Sequence, residues 1–229
     1  LVHYIGRAYR TPDYGIWERG AKINHGIREL NASSVGMAKA ALEALAGFNV
    51  FGPEGGQDGI VHVVPDEIAR ARITLASLLP RESDSKEIDA ALLGIIGFPA
   101  FAMEDAELVR RTEEEIVTKL KGRYGFKRFL LDGHQTVLED HSRLHYNPSE
   151  LGKFENIESE WPLFFAYQLV NLQFAGRHAE ADAQWSQLQE VMVEVDGWRL
   201  LPELYYVPEP LVSAERASPH SQRRLPNDN

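Results

Sequence analysis

Apolar positions recur at helical spacing in six stretches of the chain, and the stretches are of two kinds. Residues 34–45, 85–96 and 158–174 are apolar almost all the way round. The second holds Ile88, Ala90, Leu92, Leu93, Ile95 and Ile96, and the third Trp161, Leu163, Phe164, Phe165 and Tyr167. A helix of that kind is buried on every side. Residues 66–78, 104–120 and 179–195 are amphipathic; in the second, Leu108, Ile116 and Leu120 form a stripe and the rest is charged. The two kinds alternate, and long polar loops precede the buried ones. An inner ring of helices covered by an outer ring produces this order. The pattern therefore predicts an all-α fold, an α/α toroid, with a simple helical bundle as the alternative.

Local signals place the remaining segments. Residues 1–10 read as a helix end, and Thr11-Pro12-Asp13-Tyr14-Gly15 is turn chemistry within a loop over 11–33. Pro65-Asp66-Glu67 opens one outer helix, with proline in the first turn and acids at the positive end of the helix dipole; Pro80 follows its end. Residues 51–56 are a glycine-rich loop, 61–64 fit a short strand, 124–133 an extended hairpin, and 134–153 a polar loop. Everything after 195 reads as loop, with 212–229 a polar tail. The start at Leu1, without methionine or a basic leader, and the polar end at Asn229 suggest a piece of something longer.

The 229 residues are 44% hydrophobic and 25% charged, enough for a sizeable core. A net charge of −10 is poorly suited to a nucleic-acid backbone, which needs clustered Lys and Arg. With no cysteine in the sequence, thiol catalysis and thiolate metal sites are excluded within it. No apolar run reaches the ~18 residues that a membrane span needs. There is no P-loop, no HExxH and no GxSxG. The protein-kinase set of Gly-rich loop, VAIK lysine, HRD and DFG is also missing. Eight histidines are scattered, and none is paired at metal-ligand spacing on a helix beside carboxylates. Neither a metal nor a cofactor is expected.

Two loop segments combine aromatic rings with a carboxylate: Tyr14-Gly15-Ile16-Trp17-Glu18-Arg19-Gly20 and Leu200-Leu201-Pro202-Glu203-Leu204-Tyr205-Tyr206. Glycoside hydrolysis needs two carboxyls flanking the scissile bond. Aromatic walls suit sugar faces and exclude water from a neighbouring acid. From spacing alone, Trp17 and Tyr205 serve equally as loop anchors with both glutamates in solvent. Arg128 is a candidate hydrogen-bond donor to a hydroxyl or carboxylate, with an exposed basic hairpin as the alternative. Trp161 stands at the mouth of a buried helix.

Longer words narrow the choice. TPDYGIWERGAKINHGIRELNASSVGMAKAALEAL, SLLPRESDSKEIDAALL, KLKGRYGFKRFLLDG, FENIESEWPLFF and LPELYYVPEP together resemble the large regulatory subunits of phosphorylase kinase, and KINHGIRELNASSVGMAKAALEAL is closer to the alpha than to the beta type. Those subunits in turn resemble family-15 glycoside hydrolases. The resemblance implies an (α/α)6 glucoamylase-like barrel, incomplete here, since the match begins after the first half of the barrel. It implies Glu18 as general acid, following Trp17 as in a WEE motif. Arg19 replaces the motif's second glutamate, and a cation there favours the ionised form of its neighbour and weakens it as an acid. The match is looser for Glu203 as general base. Trp17, Arg19, Arg128 and Trp161 fall at sugar-binding positions. The resemblance further implies a hetero-oligomer with a catalytic gamma subunit, a beta subunit and calmodulin, a glucan as candidate ligand, and a cytoplasmic location. Membrane attachment would come through a prenylated C-terminal cysteine outside these residues. Three functions stay open: a regulatory scaffold in glycogen breakdown, an active inverting glucan hydrolase, and a protein-interaction piece with a dead cleft.

Overall fold

The computed structural model describes residues 1–17, 26–143 and 145–227. Eight α-helices lie among them: α1 Val2–Ala8, α2 Ala32–Leu45, α3 Pro65–Leu78, α4 Leu93–Ile96, α5 Ala106–Leu120, α6 Leu163–Phe174, α7 His178–Glu190 and α8 Val212–Ala217. α4 is entered through a 3-10 turn at Ala90–Leu92. Two small antiparallel pairs complete the chain, β1 Val193–Val195 with β2 Trp198–Leu200, and β3 Tyr205–Tyr206 with β4 Leu225–Pro226.

The helices form three hairpins side by side. α2 packs on α3, α4 on α5 and α6 on α7, while α4 also touches both α2 and α6. An inner layer α2–α4–α6 is thus backed by an outer layer α3–α5–α7, the arrangement of part of an (α/α)6 toroid. Burial follows the layers. Six of 14 residues are buried in α2, all four in α4 and four of 12 in α6. In α3 the figure is two of 14, in α5 three of 15 and in α7 three of 13, so the inner set carries the core. Val35, Leu75, Ile95, Ile116 and Phe165 meet there with essentially no exposure. At α2–α4 the approach is so close that a Cβ on Gly36 would run into the Ile95 side chain.

Several sequence expectations need correction, each for a local reason. The buried helix expected over 85–96 starts only at Ala90. Asp89 is held extended, its carboxylate accepts from the Ala91 amide at 2.9 Å, and the Ala90 amide donates to the Arg128 carbonyl at 2.7 Å. The helix expected from 158 starts at Leu163, because Trp161 precedes a proline, which disfavours helical backbone. Residues 61–64 form no strand; the only pairing nearby is the isolated bridge Asn49–Ile60, and Pro65 begins α3.

Residues 124–133 are not an extended hairpin. They pair outward, Phe126 with Trp161 and Phe129 with Asp89, apart from one bridge to Lys121. The helix expected to reach 195 stops at Glu190. Val193–Leu200 then folds as a hairpin on Asp196-Gly197, where both φ values are positive, 52° and 79°, as a two-residue primed turn requires. Finally, the polar segment from 212 to 227 is not loop throughout. It contains α8 and β4, and the Glu215 carboxylate accepts from the His220 and Gln222 amides, each at 2.9 Å. Arg224 is buried between Glu160 at 3.1 Å and Glu215 at 3.3 Å.

Candidate functional site: an arginine against two tryptophans

The segments leading into the inner helices are stitched together by single backbone pairs: Asp89 with Phe129, Phe126 with Trp161, and Glu160 with Tyr205. This brings side chains distant in sequence to one end of the helical layers. Trp17, from the loop ahead of α2, tilts against Trp161 at a ring separation of 6.3 Å and meets Phe164 edge-on at 5.8 Å. The Arg128 guanidinium packs against both indoles, 4.9 Å from the Trp17 ring centre and 5.0 Å from that of Trp161. Cation–π attraction in a desolvated site of this kind is worth about 2 kcal/mol.

Arg128 is also paired with a carboxylate. Its Nε and Nη2 donate to the two oxygens of Asp132 at 2.6 and 2.9 Å, and the pair is buried, with 3% and 5% of each residue exposed. His134 stacks on the far side of Trp161 at 5.9 Å, and the Asp132 carboxylate accepts from its amide at 3.0 Å. The Trp161 indole N–H is buried and has no hydrogen-bond partner among the described residues.

The Trp17 side is fixed by a second charge cluster. Its Nε1 donates to Asp89 Oδ2 at 2.9 Å, and the same oxygen accepts from Lys86 Nζ at 3.2 Å. Glu82, fully buried, stands 3.9 Å from Lys86 and accepts from the Ser33 hydroxyl and amide. Burial pushes the Glu82 carboxyl up to about 7, against the opposing pull of Lys86. Glu160, beside Trp161, is different. Burial pushes its carboxyl up, but His220, Arg224 and the Tyr124 amide outweigh this and hold it below the ordinary carboxylate range.

Of the residues singled out from the sequence, the fold brings Trp17, Arg128 and Trp161 into direct contact. Glu203 is exposed and its Oε2 accepts from Asn227 Nδ2 at 2.8 Å. Two residues on, Tyr205 stacks on Tyr124 at 4.8 Å and ties its hydroxyl to the Val191 carbonyl at 2.7 Å, so Tyr205 is a loop anchor. Glu18 and Arg19 lie outside the described residues. Arg128 is not on an exposed basic surface. Sequence reasoning missed Asp89, Asp132, Lys86 and His134. The spacing of Asp132, four residues after Arg128, and of Asp89, three after Lys86, was the available signal.

Comparison with known proteins is consistent across the chain. It is 55% identical over 227 residues to the probable phosphorylase b kinase regulatory subunit alpha of Caenorhabditis elegans, a match covering 99% of this chain and 18% of that protein. It is 53% identical over 227 residues to the liver isoform of the same subunit from Oryctolagus cuniculus, with the same coverage. Against the probable subunit of Drosophila melanogaster the figure is 52% over 225 residues, covering 98% of this chain and again 18% of the relative. The chain therefore spans less than a fifth of the length of these relatives. Residues 1–228 match the glycosyl hydrolases family 15, and the chain belongs to that family.

Proposed function

We propose that this chain is part of an alpha-type regulatory subunit of phosphorylase kinase acting in the control of glycogen breakdown, and that its family-15 cleft holds a glucan without hydrolysing it. The similarity over 98–99% of the chain to proteins named as regulatory subunits supports the first half. The observation that carries the second half is the commitment of Arg128. Packed against Trp17 and Trp161 and bonded through two nitrogens to Asp132, it helps to build an aromatic wall that suits a sugar face. It is not poised to follow charge as it develops in a reaction, which is what transition-state stabilisation needs. The sequence adds Arg19 directly after Glu18, a poor neighbour for an acid that must stay protonated.

On this reading the protein works in the cytoplasm within a hetero-oligomer containing the catalytic gamma subunit, the beta subunit and calmodulin. Any lipid anchor would be carried elsewhere on the longer chain. The test is the full-length subunit incubated with maltooligosaccharides. The expected result is binding without release of glucose, and a Glu18→Gln variant indistinguishable from wild type. Turnover that Glu18→Gln abolishes would replace the regulatory reading with that of an inverting hydrolase, with Glu203 the base to examine next.

A further inference from the structure

The inner helices start at the site end and leave at the other, where the turns 46–64, 97–105 and 175–177 carry the chain to the outer layer. Each of these turns, or the helix end beside it, exposes large apolar side chains. Phe48, Val50 and Phe51 stand on the first, Phe98 and Phe101 on the second and Phe174 at the third, each between 44 and 75% exposed. Scattered exposed apolar residues are ordinary, but six gathered at one end of a fold mark an interaction surface.

These side chains are held in place. Asn171 fixes the second turn, its side chain accepting from the Phe98 amide and donating to the Leu93 carbonyl, each at 2.8 Å. Phe98 and Phe101 both pack on Phe174, at ring separations of 5.9 and 5.1 Å. Phe101 sits at a φ of 44°, left-handed backbone that an aromatic residue adopts only at a cost. In the first turn, Asn49 Oδ1 accepts from the Phe51 amide at 3.0 Å. Arg72 joins the first turn to the second, 3.3 Å from Glu43 and 3.1 Å from Glu104.

Two observations bear on what covers this face. The hairpins pack flank to flank, with α4 touching both α2 and α6, so further hairpins of the same layers would extend them sideways and leave the turns open. The charge is also one-sided. The turns carry Glu54, Asp58, Glu104 and Asp105 against a single Lys or Arg, Arg177. Arg177 is taken by Glu113 and Glu180 at 2.8 and 2.7 Å, and the neighbouring Lys39 and Arg72 by Glu43 and Glu104. A second copy of this face would meet its own surplus of acids, and an anionic lipid surface would be repelled. An apolar segment flanked by Lys and Arg would be held by both features. We propose that this end face docks another subunit through such a segment, its apolar residues seated among the phenylalanines and its basic residues beside Glu54 and Asp58. The inference rests on the reading of the chain as part of a regulatory subunit in a hetero-oligomer, and it names a surface through which that assembly is made.

The experiment uses the full-length subunit in its cellular assembly, with the photo-reactive residue p-benzoylphenylalanine placed at Phe51 or Phe101. The control position is Ile73, comparably exposed in the middle of α3. Irradiation should join positions 51 and 101, and not 73, to one apolar, Lys- or Arg-rich segment of another subunit. Phe101→Ser with Phe174→Ser should lower the yield from position 51 about tenfold or more, as the loss of central aromatic anchors predicts. Glu54→Lys with Asp58→Lys should lower it too and remove its dependence on salt. A subunit recovered with no other polypeptide defeats the proposed function, and this inference with it. A complex that forms while positions 51 and 101 link only to the same chain, to a second copy, to lipid, to an acidic segment or to nothing overturns this inference alone. So does an unchanged yield in the serine or the lysine variants.

Discussion

Replacing Asp132 with alanine removes the only carboxylate among the described residues that hydrogen-bonds an arginine with 3% of its surface exposed. The guanidinium keeps its two indole faces but loses both in-plane hydrogen bonds and its counter-charge. Leaving a buried charge unpaired costs roughly 3–5 kcal/mol. The double variant Arg128→Met, Asp132→Leu removes the charge as well. It forfeits the cation–π attraction, about 2 kcal/mol in a desolvated site, but leaves nothing unpaired. The double variant should therefore be less damaging than the single one, an inversion that simple contact counting does not produce. Because the subunit is long and will not unfold in two states, the measurement should be local. Hydrogen exchange of amides 126–133 in the full-length protein should accelerate about a hundredfold or more in Asp132→Ala, the equivalent of roughly 3 kcal/mol of local opening. In the double variant it should rise far less. If Asp132→Ala leaves exchange within a few-fold of wild type, or if the double variant is the worse of the two, the pair is not the buried clamp described here.

Two further outcomes follow from neighbouring residues. Gly125 lies against the Trp161 backbone, and a Cβ there would run into its carbonyl. Gly125→Ala should thus cost roughly 1–3 kcal/mol through backbone displacement and change the tryptophan emission; unchanged tryptophan emission and unchanged exchange at 124–128 would refute it. Glu160 has a depressed pKa in the fold, so its pairing with Arg224 and His220 contributes stability above the ordinary carboxylate range and loses it as pH falls through the folded value. Limited proteolysis within 218–226 should accelerate only as pH falls below the ordinary carboxylate range, and Glu160→Gln should be fast at neutral pH already; a cleavage rate independent of pH in wild type would count against this.

The layered helices were legible because burial on all sides leaves a mark in composition, and the three inner helices do carry the greater buried share. Their starting points were less so, and the reasons differ. Trp161-Pro162 is a local rule that the sequence displays openly, since the residue before proline leaves helical backbone. Val193-Glu194-Val195-Asp196-Gly197-Trp198 is likewise a hairpin signal, Asp-Gly between alternating apolar residues. Helical periodicity outweighed both signals in the reading. Asp89 is another matter. Its extended backbone depends on Phe129, forty residues away, and no local pattern announces that pairing. Arg128 was found by likeness to a sugar-binding position, but that likeness said nothing of its burial or of Asp132.

The same non-local pairs explain why the site is stiff. An inner helix of an α/α ring supplies a fixed axis but leaves its lead-in free to wander, and here each lead-in borrows backbone hydrogen bonds from the next. Asp89 is tied to Phe129, which stands beside Arg128. Phe126 is tied to Trp161, whose neighbour Glu160 is tied to Tyr205 and clamped by Arg224. Arg224 also reaches the Glu158 carbonyl, so α8 and β4 close on the strand-like entry to α6. A change in the position of residues 212–226 would act on the backbone of Trp161 through one buried pair, with the Arg128 guanidinium next in line. An active glycosidase has to let a general acid and a general base exchange protons with a moving substrate. On the reading proposed above, a wall of rings packed against a neutralised arginine suits holding a sugar face, and the Glu160–Arg224 pair ties the entry to α6 to the segment that packs behind it.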